Sequence, residues 1–237
     1  MHISILSFNI HKGVGWQTYK STIKHIYAEM SILNPDLILL QEVRGFQLDS
    51  FPETVWSYIS YGQNVFHKKG HYGNAILSKY PMLLTEHIDL TMHRFESRGL
   101  LYSKLKLPNN NQVLHLICTH LGLFQKDRKK QMHLIADFIK NKIPYNEKLI
   151  LAGDFNDWSN DATKIFIDNL GLDEAFLKLH GSYARTYPAW SPFFKLDRVY
   201  YRGLNIKYAE RLTKKPWKLL SDHIAINTHL ELKSHDK

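Results

Sequence analysis

Four acidic side chains, two imidazoles and two amides sit where chemistry is possible: each closes, or lies just inside, a short apolar run. Asn9 occurs in Ser7-Phe8-Asn9-Ile10, Glu42 after Leu39-Leu40-Gln41, and His120 in Cys118-Thr119-His120-Leu121. Then come Gly153-Asp154-Phe155-Asn156, Leu196-Asp197-Arg198 and Ser221-Asp222-His223. Polar residues placed repeatedly at strand ends suit a site on the rim of a sheet scaffold, so an enzyme is expected. Glu42, at the end of an apolar run, suits a ligand for a hard cation, and the Asn9 amide oxygen can join the same shell. His223 is the candidate general base, because imidazole titrates near neutrality. Asp154 and Asn156 share a side if the segment is extended, with Phe155 turned into packing. Gly153 lets the backbone approach a neighbour closely. Helix capping, the ordinary alternative for Asp154 and Asn156, is a job for which Ser159 and Asn160 are better placed.

The ordered series resembles the endonuclease/exonuclease/phosphatase superfamily, the DNase I-like metal-dependent phosphodiesterases. The likeness runs from Ser7-Phe8-Asn9 to Ser221-Asp222-His223 and takes in Gly73-Asn74-Ala75-Ile76-Leu77-Ser78 and Ser97-Arg98-Gly99-Leu100. Asn9-Ile10-His11-Lys12-Gly13, and Thr186-Tyr187-Pro188 followed by Leu196-Asp197-Arg198, are similar to the small bacterial YbhP-type branch. The resemblance implies a four-layer α/β/β/α sandwich of two mostly antiparallel sheets. It also implies cleavage of a phosphodiester by water with Mg²⁺, or Mn²⁺, as cofactor. Glu42, Asn9 and Asp222 are then expected at the metal, Asp222 facing away from His223 on one strand. Asp197 orients His223, while Asn156 and His120 stabilise the charge that develops on the phosphoryl group. Asp154 orients the water or handles the leaving-group proton. Arg98, Asn74 and His11 form a second tier that binds substrate phosphate, Arg98 bidentately.

Positioning these groups requires strands. Residues 3–10 and 36–41 read as strands around a helix carrying Ile23, Ile26, Tyr27, Met30 and Leu33, stopped at Asn34-Pro35. Residues 62–67, 74–79, 83–90, 99–107 and 112–119 read as successive strands. A second helix over 125–142 shows Met132, Ile135, Ala136, Ile139 and Ile143 as its stripe. A strand at 148–152, a shorter helix near 160–170 and strands at 196–202, 205–211 and 223–232 complete the order. At 237 residues without linker or repeat, one catalytic domain over 1–237, acting as a monomer, is expected.

The net charge of +9 favours polyanions or anionic membrane surfaces as partners. Basic residues group at Lys126, Arg128, Lys129 and Lys130, and at Arg211, Lys214, Lys215 and Lys218 just before Ser221-Asp222-His223. Of the substrates that fit, nucleic acid is expected ahead of a phospholipid diester or the phosphomonoester of an inositol-type phosphatase; a non-catalytic binding module is the reading from another class. Tyr187-Pro188-Ala189-Trp190-Ser191-Pro192-Phe193-Phe194 can stack unpaired bases, sit at a lipid interface or simply pack as a loop. His67 and His71 read as exposed loop residues and not ligands. One cysteine, Cys118, excludes an internal disulfide, and with no signal peptide or membrane span evident the cytoplasm is expected.

Overall fold

Residues 1–51, 55–65, 71–93, 95–108 and 112–232 are described by the computed structural model. Strands β1 (His2–Asn9) and β2 (Leu37–Arg44) flank helix α1 (Ile23–Leu33), and β3 (Tyr58–Val65) and β4 (Tyr72–Ser78) follow. Strands β5 (Met82–Asp89), β6 (Gly99–Lys106) and β7 (Val113–His120) lead to α2 (Gln125–Lys142) and β8 (Lys148–Asp154). Then come β9 (Asp173–Glu174), α3 (Ala175–His180), β10 (Asp197–Arg202), β11 (Leu204–Arg211), α4 (Trp217–Leu220) and β12 (Ile226–Leu232). The expected helix near 160–170 is a π-helical turn, Thr163–Asp168, and Asp157 caps it. Its carboxylate accepts from the backbone N–H groups of Asp161 and Ala162, the task the sequence suggested for Ser159 and Asn160. The expected strand over 62–67 starts earlier, at Tyr58, and His67 lies outside the described residues.

Two six-stranded sheets result, ordered β11-β12-β1-β2-β4-β3 and β5-β6-β7-β8-β10-β9. Each has one parallel pair, β1 with β2 and β7 with β8, because only those strands are joined through a crossover helix. The sheets pack face to face. Ile3, Ile5, Leu37 and Leu39 of the first meet Leu114, Leu116, Ile150 and Ala152 of the second. The alternate residues point outward and are also covered: Leu6, Phe8, Ile38 and Leu40 by α1 and α4, and Ile117, Leu149 and Leu151 by α2. Strands covered on both faces need apolar residues at every position, hence the unbroken run Leu37-Ile38-Leu39-Leu40. Helix α1 ends where Asn34 takes a left-handed conformation (φ 52°), ahead of Pro35.

Register gathers the functional residues at one edge. His120 and Asp154 are paired on β7 and β8, Asp197 opens β10 opposite Asp154, and Gly99 opens β6 opposite His120. In the other sheet β1 ends at Asn9, and β12 begins with Ile226 opposite Ser7. Gly153 is what allows the β7–β8 approach there. A Cβ on it would lie 1.9 Å from the Thr119 carbonyl oxygen, at a φ of +147° that side chains rarely adopt. Gly153→Ala should therefore lower stability by about 3 kcal/mol or more, read as the loss in urea midpoint at unchanged slope.

Candidate active site

The Asp154 carboxylate, buried at the end of β8, is the meeting point. Its Oδ2 accepts from Asn9 Nδ2 at 3.0 Å, a bond that runs from one sheet to the other. The same oxygen lies 3.4 Å from His120 Nε2 and 3.6 Å from His223 Nε2. Its Oδ1 accepts the Asn156 backbone N–H at 3.0 Å. His223 Nδ1 donates to Asp197 Oδ2 at 2.9 Å, so the imidazole is held between two carboxylates with Nε2 toward Asp154. Tyr187 packs against that ring with centroids 4.9 Å apart.

Ser221 makes the loop before β12 bring His223 here. Its hydroxyl donates to the Asn9 carbonyl at 2.7 Å and accepts the His223 N–H at 3.2 Å. Asp222 and His223 consequently occupy a bend that precedes β12, rather than alternating along a strand as expected. Asp222 points toward His11, with 3.8 Å between Oδ1 and Nδ1. Glu42 is placed by a different device. The β2–β4 register slips between Leu40 and Val43, setting Gln41 and Glu42 against one residue, and Glu42 takes a left-handed φ of 56°. Such a bulge re-aims a side chain within a strand. Glu42 therefore lies in a bulge inside β2, two residues before its end, and not at a strand end. Lys12 Nζ sits 2.8 Å from its Oε2.

Several expected roles look different in three dimensions. Asn156 has φ 48°, so strand alternation does not relate it to Asp154; its amide donates to the Leu121 carbonyl at 2.9 Å. Phe155 is buried among Phe166 and Tyr200, as the pattern required. The Arg98 guanidinium is buried and engaged: Nη2 donates to Glu96 Oε1 at 2.9 Å and Nε to the Leu121 carbonyl at 3.0 Å. It adds positive charge beside His120 without offering an open fork to a phosphate. Asn74 is buried, and its amide donates to the Gly99 and Cys118 carbonyls across the sheets. Both amide hydrogens are engaged here, and Asn74 braces the site. His11 Nδ1 faces the Val14 carbonyl at 3.2 Å. Arg128, counted with the basic surface, is instead buried, donating to the Gly122 and Leu123 carbonyls beneath the Trp158 ring. Sequence reasoning missed the jobs of Ser221, Lys12, Glu96 and Tyr187. Only the Ser221-Asp222-His223 triplet carried a signal for one of them.

Buried acids around two imidazoles, on the rim of paired sheets, are the groups that metal-assisted hydrolysis of a phosphate ester calls for. Residues 6–223 match the Endonuclease/Exonuclease/phosphatase family, and the chain belongs to it. YbhP of Escherichia coli strain K12 is 32% identical over 243 aligned residues, covering 96% of each chain. A sphingomyelinase C of Bacillus cereus is 30% identical over 189 residues, 65% of this chain and 55% of its own length. The crystal structure of an endonuclease/exonuclease/phosphatase from Beutenbergia cavernae superposes with a TM-score of 0.83 at 17% identity, covering 98% of this chain and 72% of that one. Enzymes of this family generally use a divalent metal, and the residues here fit one. Asp154, Asp197 and His223, whose ligating atoms lie within 4.8 Å of one another, are one cluster that could hold it, and the ionised Glu42, with Asp222 at the same rim, is the other. At Glu42 the Lys12 ammonium already stands where positive charge is favoured.

Ionisation follows from this packing. Burial opposes charge on Glu42, but His120, Lys12 and His11 outweigh it and hold the carboxyl down at about 2. Burial, with Arg98 next, keeps His120 neutral, well below its ordinary value. Burial also pushes Asp154 up, against the pull of His223. Burial alone would lower His223, yet Asp197 and Asp154 together raise it to about 10. A raised histidine stabilises the fold fully below its unfolded value of 6.5, and that contribution is lost as pH rises through about 10. In protein kept free of divalent cations, NMR should accordingly find His223 protonated at pH 8 while His120 is neutral. Asp197→Asn should bring the His223 midpoint down by about 1 unit or more. A His223 midpoint near 6.5 in the unmutated chain would refute this charge arrangement.

Proposed function

We propose that this chain is a divalent-cation-dependent phosphodiesterase that attacks the phosphorus with water, using Mg²⁺ or Mn²⁺. The observation that carries the reading is His223 fixed between Asp197 and Asp154, with Glu42 and Asp222 at the same rim. His223 Nε2 takes the proton of the attacking water and Asp197 keeps the imidazole oriented. Asp154 Oδ2, facing His223 Nε2, orients that water, and the proton taken up by His223 returns to the leaving oxygen through solvent. His120, neutral and 3.4 Å from Asp154, donates to the phosphoryl group as charge grows. Glu42 with Asn9 and Asp222 would hold the cation, which would neutralise charge on the phosphoryl oxygens and disfavour the His223 imidazolium.

Two classes of diester suit the charge. Nucleic acid, the expectation from sequence, is supported by the net charge of +9 and the lysines before Ser221. A phospholipid diester is supported by the likeness to sphingomyelinase C and by large apolar side chains exposed around the site, among them Trp190 and Phe193. We take the phospholipid as the first reading, since side chains that shun water do not follow from a polyanionic substrate. His223→Asn should reduce turnover of bis(p-nitrophenyl) phosphate about a hundredfold or more with KM little changed. Glu42→Gln should raise the Mg²⁺ concentration needed for half-maximal rate. Full activity in EDTA, or an unchanged rate in His223→Asn, would sink the mechanism. Release of nucleotides from single-stranded DNA, with phospholipids left intact, would return the substrate to nucleic acid.

A further inference from the structure

Large apolar side chains are exposed on helices and strands in several places, Ile32, Leu83 and Leu134 among them, but in the loops they gather at one edge. The loops at the catalytic edge follow β1, β7 and β8 and precede β10. They expose Tyr19, Leu123, Phe124, Trp158, Trp190 and Phe193. Tyr19 is 81% exposed and Phe124 62%. Among the described residues, the connections at the opposite edge (34–36, 79–81, 143–147 and 203) expose one, Tyr145. Exposed apolar residues scattered singly need no explanation, but residues gathered around one opening mark a contact surface.

The rings also form a connected path into the site. Trp158 lies 6.1 Å from Phe194, Phe194 lies 4.1 Å from Phe193 and 6.4 Å from Tyr187, and Tyr187 touches His223. Trp190 leans on Trp16 at 4.9 Å, beside a cavity of about 420 Å³ that reaches His11 and Asp222. Exposed lysines stand in the same loops or adjoining them: Lys20, Lys126, Lys214 and Lys215. An apolar crest with ammonium groups around it is the composition of a protein face that enters the boundary layer of an anionic bilayer. The rings sit at the headgroup level and the lysines reach lipid phosphates.

We propose that this edge docks on an anionic phospholipid bilayer, with Phe124, Trp190 and Phe193 entering the interface and the His223 site facing the headgroups. Stacking of unpaired nucleobases fits less well. Three ring pairs meet at tilts of 38°, 40° and 53°, with only Tyr187 and Phe194 nearer parallel at 27°, and Leu123 beside Phe124 has no π-face on which a base can stack. The proposal deepens the phospholipid reading and rests on it for its purpose, though binding requires no turnover.

The test is flotation of the full chain, in EDTA, with vesicles of phosphatidylcholine alone or mixed with phosphatidylglycerol. The unmutated chain should float with the mixed vesicles, and brominated lipid should quench its tryptophan fluorescence. The triple variant Phe124→Ser, Trp190→Ser, Phe193→Ser should partition about tenfold less or weaker still. Its melting temperature and its turnover of bis(p-nitrophenyl) phosphate should stay unchanged, and Trp190→Phe should retain binding. An unmutated chain that stays in solution, or a triple variant that floats equally well, overturns the docking surface. So does a triple variant that loses single-stranded DNA affinity and keeps its vesicle affinity. Flotation with no hydrolysis of any vesicle lipid upholds docking and removes phospholipid as the substrate. Hydrolysis of detergent-dispersed phospholipid by a chain that does not float does the reverse.

Discussion

A carboxylate without access to water must be surrounded by donors, and Asp154 is so surrounded by groups drawn from both sheets. Asn9 reaches it from β1, His120 from the neighbouring strand, His223 from the loop before β12, and the Asn156 N–H from its own chain. Removing any one of these leaves a buried charge short of a partner, which is far more destabilising than loss of an exposed pair. The two sheets are therefore locked at this edge by the same contacts that order the candidate catalytic groups. Stability and the arrangement of the site share one carboxylate.

That convergence demands unusual backbone. Seven non-glycine residues have positive φ among those described, and one of them, Asn34, simply ends a helix. The other six, including His11, Lys12, Glu42 and Asn156, lie in the segments that build or border the site. Left-handed conformations are costly for residues with a side chain and persist where the surroundings enforce them. Here the enforcing contacts are identifiable: the bulge in β2 turns Glu42 inward, and Asp154 holds the Asn156 N–H. Gly153 serves the same end by letting β7 and β8 close up beneath His120.

Charge and apolarity act at different ranges around this edge. The positive excess draws any polyanion from a distance and fades within a Debye length in salt. Selection among anions then falls to the groups met on contact, which here are rings and leucine as well as lysines. Arg128 illustrates how composition misleads, because it is counted with the positive charges while its guanidinium is buried under Trp158. Of its neighbours, Lys129 is paired with Asp161. The outward field is smaller than the residue count suggests.

The sequence by itself determined most of the scaffold. Continuous apolar runs in β2 and β8 and helical spacing in α1 and α2 are local properties, set by which faces each element must bury. The strand-end residues of the motif series were legible for the same reason: a polar group breaking an apolar run has few places to go. The four-layer sandwich itself came from resemblance, since periodicity fits other layouts as well. Only the tertiary structure decided which polar groups face one another. Arg98 and Asn74 looked free to hold phosphate, but the distant Leu121 carbonyl, with nearby Glu96, takes up the Arg98 hydrogens, and the distant Gly99 and Cys118 carbonyls take up those of Asn74. The bulge at Glu42 arises from pairing with β4, and the Ser221 clamp from contact with Asn9, more than two hundred residues away. A hydrogen bond between distant segments leaves no periodic trace in the chain, so these partners appear only once both sheets are closed.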